Sequence, residues 1–188
     1  MIPLVSGRGI LLVLAILLAS GFTRAETLIG GDFELTDHHG QPFSLTATRG
    51  KVTLLFFGYT SCPDICPITL TEVSSILKTL GTRADEIAPI FISVDPQRDM
   101  VERLAQYIPW YDKRLIGLTG TQHQIDAVTD AYHVQVQLNR KSPDDMTYTV
   151  DHSAGLFLID RAGRLTQIIP FGLPREHSLR AIEDLLDQ

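Results

Sequence analysis

Two cysteines, three methionines and one tryptophan are all that the 188 residues hold of those types. Two cysteines cannot form the dense disulfide framework of a small secreted scaffold, and a chain of this length buries a sufficient core without one. Nor can two thiolates close a structural zinc site, which takes four ligands. Methionine is too scarce for a Met-rich metal tract. Positive charge is also short: Lys+Arg is 16 against 22 Asp+Glu, a net charge of -6. Nothing here neutralises a phosphate backbone, which argues against a nucleic-acid binder.

Long apolar runs are lacking too. Ile10 to Ala19 is unbroken, but ten residues of helix span only ~15 Å, about half of a bilayer's hydrocarbon core. Arg8 and Gly9 precede it, and Ser20 to Ala25 follow, with small residues at Thr23 and Ala25. Residues 1–25 therefore read as a cleaved secretory signal, with a short membrane anchor as the alternative. The segment holds no cysteine, so it carries no lipoprotein anchor. The composition, 44% hydrophobic and 20% charged, is that of a folded chain, and residues 26–188 make one domain. Export would put both cysteines where disulfides can form.

The periodicities alternate between strand and helix. Asp32–Thr36 and Pro42–Leu45, joined through Asp37-His38-His39-Gly40, predict a hairpin. Val52–Phe57 and Pro89–Val94 are nearly continuous apolar runs, as in strands buried on both faces. Val73, Ile76, Leu77 and Leu80 share a helical face that ends at Gly81. A helix from about Met100 to Tyr107, halted by Pro109, precedes a short strand at Leu115–Leu118. Ile125, Val128 and Ala131 mark the next helix, and His133–Leu138 reads as an edge strand. Asn139–Asp145 is the longest loop. Ala154–Asp160 and Leu165–Ile169 form a second hairpin, and an amphipathic helix started at Pro174 closes the chain. This order gives an α/β fold: a mixed central sheet flanked by helices, with an extra N-terminal hairpin.

Gly58-Tyr59-Thr60-Ser61-Cys62-Pro63-Asp64-Ile65-Cys66-Pro67 lies between a buried strand and a helix, where open α/β sheets place their chemistry. Pro67 suits a first helical position, which puts Cys66 at the cap and Cys62 one tight turn earlier in the loop. The Cys62 thiol then faces the positive end of the helix, which lowers a thiol pKa, with Asp64 and Asp151 opposing. Three readings follow. A structural disulfide would close a loop too small to stabilise much. A redox dithiol usually has two intervening residues, not three. A soft-metal site gains from the extra residue, because the sulfurs have more freedom to chelate one ion. Two thiolates and one imidazole suit Cu(I).

Of six histidines, His38 and His39 read as solvated turn residues, His123 and His177 as surface residues, and His133 as the start of an edge strand. His152 immediately precedes the buried run 154–159. If that run pairs beside Val52–Phe57, His152 reaches the sheet end that carries Cys62. Local satisfaction by Asp151 or Ser153 is the alternative. The nearby cysteine pair favours a ligand.

Ile29-Gly30-Gly31-Asp32-Phe33 with Leu35 and Gly40, and Phe57 through Pro67, resemble the entry hairpin and metal motif of the SCO/SenC copper-chaperone family. Ser93-Val94-Asp95-Pro96-Gln97-Arg98-Asp99, Gly117–Gly120 and Tyr148–Asp160 are similar to further family landmarks. The resemblance runs from about Leu28 to the C-terminus. It implies a thioredoxin-like fold that binds copper, as Cu(I) or Cu(II), through Cys62, Cys66 and His152. It also implies a role in building the dinuclear copper site of cytochrome c oxidase, by delivering copper, by reducing that site's cysteines, or both. The implied partners are the oxidase's copper-site subunit and other copper carriers or thiol reductants. The implied location is the bacterial periplasm, with or without a tether to the inner membrane.

Two rivals share the fold logic. A thiol peroxidase wants Pro seven and Thr three residues before its reactive cysteine, where this chain has Leu55 and Tyr59. An exported thioredoxin-like thiol-disulfide reductase would use Cys62 and Cys66 as its redox-active pair. It usually carries a cis-proline where His152-Ser153 stands here, and no proline lies between Pro143 and Pro170.

Overall fold

Most of the strands lie where apolar runs and alternations put them. The computed structural model describes residues 29–142 and 144–188; the segment read as a signal, 1–25, lies outside them. In chain order the elements are β1 (Glu34–Asp37), β2 (Pro42–Ser44), β3 (Val52–Gly58), α1 (Ile65–Leu80), β4 (Ile87–Ser93), α2 (Val101–Tyr107) and β5 (Ile116–Thr119). Then come α3 (Gln122–Ala131), β6 (Val136–Asn139), β7 (Thr149–His152), β8 (Gly155–Ile159), β9 (Leu165–Pro170) and α4 (Arg175–Leu186).

Among the described residues seven strands form one sheet, ordered β2-β1-β5-β4-β3-β8-β9, and β6 and β7 pair separately. β3, β4 and β5 run parallel. β1 lies antiparallel to β2 and β5, and β8 antiparallel to β3 and β9. Every residue of β3, β4 and β8 is buried, which is why their sequences read as continuous apolar runs rather than alternations. Phe56, Phe91, Tyr107 and Tyr111 stack on one face of the sheet. Phe57, Phe157, Tyr132 and Phe33 stack on the other. The fold is the expected mixed α/β, thioredoxin-like architecture with its extra N-terminal hairpin, β1–β2.

Four local expectations need correction. α1 starts at Ile65, so Asp64 is the cap, Cys66 the second helical residue and Pro67 the third. The first four N–H groups of a helix have no partner within it, so a proline at the third position breaks no hydrogen bond. β4 begins at Ile87, two residues before Pro89, because it pairs with β3 from Val52 opposite Ile87; Pro89 is tolerated there since β5 joins only from Ile90 onward. His133 opens no strand: it is an exposed turn residue with φ 54°, and β6 begins at Val136. His38 is not solvated but 7% exposed. Its Nδ1 accepts the Gly117 N–H at 3.1 Å, which ties the β1–β2 turn to β5.

Candidate metal centre

The cysteine turn leaves β3 at Gly58 and enters α1 at Ile65. The Cys62 N–H donates to the Tyr59 carbonyl at 3.2 Å, closing the turn. Cys66 is fully buried and Cys62 partly exposed; both are free thiols. Gly58 lies directly beneath Cys66. A Cβ there would come within 2.8 Å of Cys66 Sγ, 2.9 Å of Phe91 Cε2 and 3.0 Å of Phe56 Cε1. The sulfur therefore rests on bare backbone.

β8 pairs with β3 as the sequence reading required, Leu156 opposite Phe56. The chain that leads into β8 thus starts at the sheet end where β3 stops. His152 reaches that end from β7, where the sequence predicts no strand; β7 pairs with β6, Val136 opposite His152. The sulfurs of Cys62 and Cys66 and a ring nitrogen of His152 all lie within 4.8 Å of one another. Cys66 Sγ and His152 Nε2 are 3.6 Å apart. No other group of three or more His, Cys, Asp or Glu side chains among the described residues converges in this way. His39, His123, His133 and His177 are exposed.

The imidazole is oriented by its neighbours. Nδ1 lies 3.1 Å from the Ser153 carbonyl oxygen, which can only accept, so Nδ1 carries the proton. Nε2 then presents a lone pair toward Cys66, as a ligating histidine does. The Tyr59 ring meets the imidazole edge-on, with centroids 6.0 Å apart. Burial holds the His152 pKa below its ordinary value, against the opposing Ser153 carbonyl and Asp151 charge, so the ring is neutral near pH 7. Burial pushes the Cys66 thiol well up. Two sulfurs and one neutral nitrogen form a soft donor set that suits an ion accepting few ligands.

Several residues around the site had no role in the sequence reading. The fully buried Asp99 carboxylate accepts from Thr60 N at 2.8 Å, Thr60 Oγ1 at 2.6 Å and Ser93 Oγ at 2.6 Å. Tyr59 Oη accepts the Val150 N–H at 3.4 Å, joining the cysteine turn to β7. Arg98 lies against the Tyr148 ring, its Cζ 3.6 Å from the centroid. Their sequence signals are the stretches Phe57–Pro67, Ser93–Asp99 and Tyr148–Asp160, which contain them but give none of these side chains a task.

A family model described as SCO1/SenC matches residues 22–187. An SCO2-like protein of Rickettsia prowazekii is 44% identical over 136 residues, which cover 72% of this chain and 66% of that protein, just under two thirds of its length. Copper-bound ScoI of Bradyrhizobium japonicum aligns with a TM-score of 0.76 at 38% identity, over 84% of this chain and 99% of that one. Copper-bound Sco1 of yeast aligns with a TM-score of 0.79 at 28% identity, over 86% and 90%. The family match runs through the entry hairpin, the cysteine turn and the histidine strand alike, and the chain belongs to the SCO1/SenC family.

Proposed function

We propose that this protein is an exported copper carrier that holds its ion on Cys62, Cys66 and His152 and serves the dinuclear copper site of cytochrome c oxidase. The observation that carries the reading is the convergence of two thiols and an Nδ1-protonated imidazole, with Nε2 3.6 Å from Cys66 Sγ. The relatives whose structures contain copper support it. Copper is cargo here. The reduced thiols lose their protons as they take the ion. The partly exposed Cys62 is the ligand a client thiolate can displace first, and the buried Cys66 and His152 keep hold of the ion until the client has closed around it. The proposed client is the oxidase's copper-site subunit, and other copper carriers or thiol reductants would load or reduce the site. Residues 1–25 are proposed to direct export to the periplasm, with or without a tether to the inner membrane. Among the described residues no helix is long and apolar enough to cross a membrane.

A second reading draws on the unequal exposure of the two thiols. A Cys62 thiolate could attack a client disulfide to form a mixed disulfide. Attack by Cys66 would then release the client as a dithiol and leave a Cys62–Cys66 disulfide, a two-electron exchange. This reductase has no use for His152. His152→Ala is therefore expected to lower Cu(I) affinity by roughly 10–100-fold or more while the rate of thiol exchange with a model disulfide changes little. Unmoved copper affinity with lost exchange would make the protein a thiol-disulfide oxidoreductase.

A further inference from the structure

The histidine half of the site stands on weak support of its own. β6 and β7 are four residues each and pair only with each other, and an isolated two-stranded ladder is marginally stable in water. The separation between His152 and the cysteines therefore depends on whatever anchors this ribbon to the main sheet.

The segment that follows β4 supplies such an anchor. Its turn is fixed by its own hydrogen bonds: Arg98 N and Asp99 N donate to the Asp95 carbonyl at 3.2 and 2.9 Å, and Asp95 N donates to Ser93 Oγ at 3.1 Å. From this turn two adjacent side chains reach opposite halves of the site. Asp99 takes the cysteine half, accepting from the N–H and hydroxyl of Thr60, two residues before Cys62. Arg98 takes the histidine half. Its Nη1 donates to the Tyr148 carbonyl at 2.8 Å and the Met146 carbonyl at 3.3 Å, and its plane covers the Tyr148 ring. Asp95, 2% exposed, completes this arm by accepting from Tyr148 Oη at 2.6 Å and from Arg98 Nε. Tyr148 is four residues before His152, at the foot of β7.

We infer that residues 93–99 form a two-ended brace that sets the distance between thiolates and imidazole. Asp99 is the positioning residue for the Cys62–Cys66 turn, and Asp95 with Arg98 positions His152 through Tyr148. None of them touches the metal. The inference rests on the copper reading for its consequence but not for its mechanics.

The two arms are separable by experiment. Tyr148→Phe removes one hydrogen bond from the histidine arm at little cost in shape, and Arg98→Gln removes more. Each is made in the natural protein and in His152→Ala, and Cu(I) affinity is measured by competition with a chromophoric chelator. In the natural background Tyr148→Phe should lower affinity about 10-fold, as loss of a supporting partner of a ligating histidine does. In the His152→Ala background it should change nothing further. Asp99→Asn, which turns an acceptor into a donor facing Thr60, should lower affinity in both backgrounds. Equal losses from Tyr148→Phe in both backgrounds, or no loss in either, would overturn the brace. A second readout uses the metal-free reduced protein. Amide hydrogen exchange in β6 and β7 should quicken in Tyr148→Phe and Arg98→Gln while β3 and α1 keep their rates. Asp99→Asn, and not Tyr148→Phe, should alter the alkylation rate of Cys62. If the natural protein takes up no copper, the copper reading fails, and the exchange pattern alone decides the brace: quickening confined to β6–β7 upholds it, and a uniform change or none refutes it.

Discussion

Replacing Gly58 by alanine would place one methyl group under the proposed metal site. The new Cβ would stand 2.8 Å from Cys66 Sγ and 2.9 and 3.0 Å from two phenylalanine rings, with Cys66, Phe91 and Phe56 all at most 2% exposed. Ordinary contact between carbon atoms starts at ~3.5 Å, so the sulfur would be about 0.7 Å too close and the rings about 0.5–0.6 Å. Overpacking of this kind costs about 1–3 kcal/mol. For a domain of this size that lowers Tm by about 2–4 °C per kcal/mol. The lighter obstacle is the sulfur, which sits on a single side-chain torsion, whereas each ring is wedged in an aromatic stack. A binding constellation tolerates displacements of roughly 0.5 Å. Gly58→Ala should therefore lower Cu(I) affinity by at least about 10-fold, the size of effect seen when a ligand's support is removed. Chelator competition gives the affinity, and thermal melts of the metal-free reduced protein give the stability. A variant that melts several degrees lower with unaltered copper affinity would show that the rings, not the sulfur, gave way. Unaltered values in both measurements would refute the packing argument altogether.

Two further outcomes follow from titration. Because burial raises the Cys66 thiol pKa, that thiol is protonated at neutral pH and copper must displace its proton; apparent Cu(I) affinity should rise about 10-fold or more per pH unit through the neutral range, and a flat profile would remove the buried thiolate from the ligand set. His38 is held below its ordinary value of 6.5 by burial and by His39, so its folded form is the neutral one; the stability this confers is complete above about pH 6.5 and declines as pH falls toward the lowered folded value. Melts across that acid range should show Tm falling, with a shallower fall in His38→Gln, and equal slopes in the two proteins would contradict the assignment.

The sequence by itself determined the central sheet, because strands covered on both faces are apolar at nearly every position, and Val52–Phe57 and Leu156–Ile159 carry that mark within a few residues. It also singled out the candidate donor set that the fold brings together. Cys62 and Cys66 stood out by their spacing at a strand-to-helix turn, and His152 because it immediately precedes the run that had to pair beside that strand. Tertiary structure alone decided the rest. His38 sits in a turn whose composition reads as solvated, yet it is buried because Gly117, 79 positions away, offers a bare N–H on the neighbouring strand. Gly58 looks like an ordinary strand end until Cys66 folds back over it. The contacts of Asp99 with Thr60 and of Arg98 with Tyr148 join residues 39 and 50 apart. Such contacts leave no trace in local periodicity, since a hydrogen bond between distant segments constrains only two residue types and not the spacing between them. The candidate ligands are therefore legible in the chain, whereas the distance between them is a property of the packed fold.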